Sequence, residues 1–139
     1  MALVESDTGS YEVAGAGEPA ILWHWHEGAG PTLGVAVHAG HEMRPELIPY
    51  LAIDELTRVR EEDPYSDYWT LACSNRLLTR RSRFEIDLNR ERSHAICVQP
   101  EDCWNLRIWN QPISESVQTR SLSEYDAFFR LLCERLKVI

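Results

Sequence analysis

Three groups of residues in this chain are of types that do chemistry: His38 with His41, the carboxylate run Glu61-Glu62-Asp63, and Asn89-Arg90 at the end of an alternating segment. An imidazole nitrogen and a carboxylate oxygen both ligate zinc. Three such protein ligands and one open position for water make a catalytic zinc site. A guanidinium offers two parallel donors to the two oxygens of a carboxylate, and a neighbouring amide adds further hydrogen bonds. In this order along the chain, the groups are what a zinc hydrolase of small carboxylate-bearing amides needs.

The elements that must position them follow from the apolar pattern. Ile21, Leu22, Trp23 and Trp25 mark a strand from Ala20 to Trp25. Leu33 to Val37 is more continuously apolar, the mark of a strand buried on both faces. It delivers His38, and Gly40 lets the backbone turn sharply after it. Ile53 to Arg60 reads as a helix with Asp54 near its start. Pro64 ends it and disfavours helical geometry at Asp63. Between 82 and 88, Phe84, Ile86 and Leu88 alternate with Arg83, Glu85 and Asp87, the period of a half-buried strand. Such a strand, central in the sheet, presents Asn89 and Arg90 at its carboxyl end, where open α/β sheets place ligands. Residues 91–120 read as mostly loop. Ser121-Leu122-Ser123-Glu124 has the form of a capping box. Leu122, Tyr125, Phe129, Leu132 and Leu136 then recur at helical spacing, which predicts a helix over 121–137. Residues 1–18 are small, polar and glycine-rich and read as a loose leader. Residues 19–139 read as a single α/β domain, a mixed sheet flanked by helices.

Val37-His38-Ala39-Gly40-His41, Arg44-Pro45-Glu46-Leu47, Arg60 to Asp67 and Arg83 to Arg90 together resemble the N-formylglutamate amidohydrolase family, itself related to zinc carboxypeptidases and aspartoacylases. Pro100-Glu101-Asp102-Cys103-Trp104 and Ser123-Glu124-Tyr125-Asp126 are similar to that family's spacer text. The resemblance implies a zinc-peptidase-like, hydrolase-like α/β fold and hydrolysis of an N-acyl amino acid. It implies zinc held by His38 and by Asp63, with Glu62 as the alternative carboxylate. It implies Arg90 as substrate anchor with Asn89, and Arg83 on the same face. His41 is either a group supporting the ligands or contacting substrate, or a loop histidine in water. The residue-level alternative for Arg90 is a salt bridge to Asp87 or Glu91. Family members continue into an Asp-x-His-Ser strand that supplies a second histidine ligand, and a later catalytic carboxylate. Neither lies before Ile139, so no catalytic residue is expected within these residues and the fold is expected to be incomplete at its C-terminal end. The alternative function is a non-catalytic carboxylate-binding or subunit-pairing module.

Composition bounds the rest. The 139 residues make one domain by length, and the net charge of −8 argues against nucleic acid and anionic membranes as partners. No apolar run approaches the ~18 residues of a membrane span. No secretory signal is evident, and the four Cys form no Cys-x-x-Cys pair, so the chain reads as cytoplasmic with reduced thiols. A sheet that stops after the last helix leaves an open edge, which predicts a homo-oligomer or pairing with another chain.

Overall fold

Alternating bulk builds the centre of the sheet. Leu22 is buried, and Trp23 and Trp25 project into the core from β3, Ala20–His26. The computed structural model describes residues 2–5, 10–14 and 20–139. Preceding β3 are β1, Ala2–Glu5, and β2, Ser10–Ala14. β4 spans Leu33–Ala36, and β5 spans Asn75–Thr79. The sheet order is β1-β2-β3-β5-β4, antiparallel except for the parallel β5–β4 pair. The mixed α/β sheet expected from sequence is present. Among the described residues of 1–18, β1 and β2 pair as sheet strands.

Two helices flank the sheet. α1, Glu55–Glu61, is capped by Asp54, whose side chain accepts from the Thr57 N–H at 3.0 Å. A 3-10 segment, Ser66–Ala72, follows and packs along β4. α2, Glu115–Leu136, begins with Ser114 as its cap, well before the predicted start. The capping-box residues Ser121 and Glu124 lie inside the helix and are buried. Both are polar because they meet arginines. Arg44 Nη2 donates to Ser121 Oγ at 2.6 Å, and Arg81 donates through Nε and Nη2 to Glu124 at 2.9 and 3.0 Å. The helix buries Ser121, Glu124, Ala127, Phe128 and Leu131. The expected stripe of Leu122, Tyr125, Phe129 and Leu132 packs at the margin of that face, and Leu136 is exposed. Phe128 meets Trp23 edge-on at 5.8 Å, which docks α2 on β3.

The largest departure concerns residues 82–88. No strand forms there: β5 lies between β3 and β4 in the sheet, and 82–88 is a chain of turns. Every residue from Arg81 to Leu88 is buried. Phe84, Ile86 and Leu88 enter the core, while Arg83, Glu85 and Asp87 find ionic partners within the protein. An alternating sequence therefore did not mean one wet face. Both parities are buried, one apolar and one paired.

Glu85 is the clearest case. Its carboxylate accepts the Arg44 N–H at 2.9 Å and Arg44 Nε at 2.5 Å, and Arg81 Nε lies 3.4 Å away. Burial pushes its carboxyl up, and Arg81 and Arg44 oppose the shift. Together Arg44, Glu85, Arg81 and Glu124 pin the 81–88 loop to α2.

Two of the four thiols differ from expectation, while Cys73 and Cys133 are free. Cys97 and Cys103 form a disulfide, with Cα atoms 5.8 Å apart, a separation at which disulfides occur. The short turn at Pro100–Cys103 folds the chain back enough to bring them together. No described helix is long and apolar enough to cross a membrane.

Candidate functional site

The parallel β4–β5 pair carries the chain to His38, two residues past β4, while α1 ends at Glu61 and its C-cap Glu62 hands over to Asp63. Asp63 takes a left-handed backbone, φ 52°, and this turn swings its carboxylate toward His38. His38 Nδ1 lies 3.1 Å from Asp63 Oδ2, and His38 Nε2 lies 2.8 Å from Asp87 Oδ1. His38 itself is buried.

Asp87 is the hub. Besides His38, its Oδ1 accepts the Asn89 N–H at 2.9 Å. Its Oδ2 accepts Arg83 Nη2 at 3.0 Å and faces Arg90 Nε at 3.4 Å. Burial alone would raise this carboxyl. The hydrogen bonds from His38 and Asn89, with the Arg83 charge, win and hold it at about 2. The carboxylate is thus an anion throughout the physiological range. Arg83 also donates through Nη1 to Asp63 Oδ2 at 2.6 Å.

The guanidiniums of Arg83 and Arg90 lie over the Trp104 ring, 4.3 and 4.7 Å from its centroid. Arg90 Nη1 donates to the Asp102 carbonyl, and Tyr125 Oη donates to the Arg90 carbonyl at 2.9 Å. Asn89 has an exposed side chain. Arg83, Asn89 and Arg90 thus each meet Asp87, Asn89 through its backbone N–H, on a loop and not at a strand end. The Arg90–Asp87 salt bridge weighed as an alternative exists too, at 3.4 Å, and leaves Arg90 partly exposed.

Glu62 and His41 sit elsewhere. Glu62 is buried, accepts Arg58 Nε at 3.0 Å and the Ser82 hydroxyl, and faces His41 Nδ1. His41 Nε2 lies 2.8 Å from Glu55 Oε1. His41 is therefore held against α1 carboxylates, and Glu62 serves the packing of α1 on the loop, not the His38 group.

The residues fit a metal in part. A neutral imidazole donates from one nitrogen only. With Nε2–H given to Asp87, the Nδ1 lone pair points at an Asp63 oxygen, an arrangement that a cation between them relieves. A carboxylate behind a ligating histidine is the usual support for such a ligand. Against this, Arg83 already neutralises Asp63. Among the described residues, no group of three or more His, Cys, Asp or Glu is gathered to hold a metal ion.

Sequence reasoning singled out neither Asp87 as the hub nor Trp104 as the ring. Asp87 was legible within Asp-Leu-Asn-Arg. Trp104 carried no local signal, because its role depends on a loop returning from 97–103. No family model, curated protein or solved structure matches the chain.

Proposed function

We propose that this chain forms the substrate-anchoring and metal-holding part of an amidohydrolase site of the N-formylglutamate amidohydrolase type, acting on an N-acyl amino acid in a zinc-peptidase-like fold. One observation supports it above the others: His38 stands between Asp63 and Asp87, and Asp87 is shared with Arg83 and Arg90. Arg90, with the exposed Asn89 amide beside it, receives the substrate carboxylate. Arg83 adds a second positive charge on the same ring. Asp87 fixes the tautomer and orientation of His38 by accepting its Nε2–H. His38 and Asp63 are the residues that would hold zinc, which when bound supplies an activated water and polarises the amide carbonyl. A third ligand is to come from outside this group, from another segment or a partner chain.

A second reading is favoured by the Arg83–Asp63 pair at 2.6 Å and by the engagement of Glu62 with Arg58. These leave two donors where catalytic zinc uses three. On that reading the chain is a carboxylate-binding or subunit-pairing module without turnover. Incubation with N-formyl-L-glutamate and zinc, followed for formate, separates the two when paired with calorimetry. Formate release supports the hydrolase, and binding without release supports the module. Neither binding nor release removes both.

A further inference from the structure

Trp104 stands out for its conformation and exposure. It is half-exposed, at 51%, so burial in the core does not account for a residue of this size. Its backbone is left-handed, φ 53°, as is that of Asn105 at φ 62°. Strained backbone of this kind persists only where its surroundings over-determine it, and it clusters at functional sites. Here the surroundings are explicit. The Gln99 N–H is accepted by Asp102 Oδ2 at 3.1 Å, the Asn105 N–H by the Pro100 carbonyl at 2.8 Å, and the Cys97–Cys103 disulfide closes the loop.

We propose that Trp104 is a positioning residue for the anion site, its indole ring holding the Arg90 guanidinium in the pose from which it reaches a carboxylate, with the Arg83 guanidinium fixed on the same ring. The role rests on the carboxylate-anchoring reading given above. A guanidinium stacked on a ring uses its face and keeps its in-plane N–H groups for anions: those of Arg83 are given to Asp63 and Asp87, and partly exposed Arg90 is the one placed to meet an incoming carboxylate. Both arginines use the same ring, at 4.3 and 4.7 Å, and Arg90 is tied to the same loop through the Asp102 carbonyl. Arg83 has a further feature. Its Nε is buried with no hydrogen-bond partner, and its guanidinium carbon lies 4.3 Å from the ring centroid.

The test compares Trp104→Leu, which keeps apolar bulk without a π face, with Trp104→Phe, which keeps the face. Ring-current shifts of the Arg83 and Arg90 side-chain protons are read by NMR, and N-formyl-L-glutamate binding by calorimetry. Upfield-shifted arginine signals are expected in the native chain and in the Phe variant, and normal positions in the Leu variant. Binding should weaken on the order of tenfold in Leu and little in Phe, the scale of cation–π contacts. Unshifted arginine signals in the native chain, or native affinity in the Leu variant, overturn the proposal. If the native chain binds no probe, the carboxylate reading fails by itself, and the arginine signals alone decide whether Trp104 holds the two side chains. Should the Leu variant not fold, the native and Phe spectra still decide it.

Discussion

His38 Nε2 and Asp87 Oδ1 meet at 2.8 Å across 49 residues of chain. That one contact joins the β4 end to the buried 81–88 loop. It also couples the fold to protonation, because Asp87 is an anion with four partners.

The Asp87 carboxyl is held at about 2, below its ordinary 3.8. A depressed carboxyl adds stability above its unfolded value, and that stability is lost as pH falls through the folded value. Asp87 should thus contribute about 2 kcal/mol near neutrality, lost between roughly pH 4 and pH 2. Glu85, pushed up by burial, acts with the opposite sign. Urea midpoints measured from pH 6 to pH 2 should fall less steeply in Asp87→Asn than in the native chain. Equal slopes would remove Asp87 from the acid response.

Arg90→Ala should abolish binding of N-acyl amino acids and leave the fold intact. Loss of a paired charge at a binding site costs on the order of 2–5 kcal/mol. Arg90 is partly exposed, so its removal spares the core. Calorimetry with N-formyl-L-glutamate, beside a circular dichroism melt, checks both halves. Unchanged affinity would end the anchor role.

The purified chain should hold zinc weakly, below one equivalent after dialysis against a chelator, and His38→Ala should hold none. Two donors leave the ion short of the three that catalytic sites use. Elemental analysis decides it. Tight stoichiometric zinc would mean that another copy or segment completes the site.

Arg44→Met should destabilise the protein by about 3–5 kcal/mol, since it leaves Glu85 buried beside a single remaining arginine. Glu85→Gln should cost less, because the amide still accepts from the Arg44 backbone N–H. Chemical denaturation orders the two. A mild effect of Arg44→Met would show that water reaches Glu85.

Two of the five strands were legible in the residues, and β1, β2 and β5 were not. Trp23 and Trp25 announced β3, the unbroken apolar run announced β4, and Asp54 with Pro64 bracketed α1. Asp63, His38, Arg83 and Arg90 were recognisable by type and order. Three further features of the buried loop and its partners were not legible. Alternation over 82–88 resembles a strand because residue spacing cannot tell a solvated polar side chain from one buried against an arginine. Ser121 and Glu124 have the form of a cap because the arginines that bury them, Arg44 and Arg81, lie far off in sequence. Glu62 and Asp63 are neighbours of like chemistry, and only the left-handed turn at Asp63 sends one to His38 and the other to Arg58.

The buried ionic loop has a kinetic consequence. Its partners are far apart along the chain: Arg44 reaches Ser121 across 77 residues, and Arg81 reaches Glu124 across 43. Contacts of such separation carry a loop-closure cost before they return any stability, and they form late in folding. Arg83, Asp87 and Arg90 sit on that loop or at its end. This arginine–carboxylate cluster should therefore be absent from partly folded chains and complete itself only as α2 docks, so that the contacts around Asp87 report fully folded molecules.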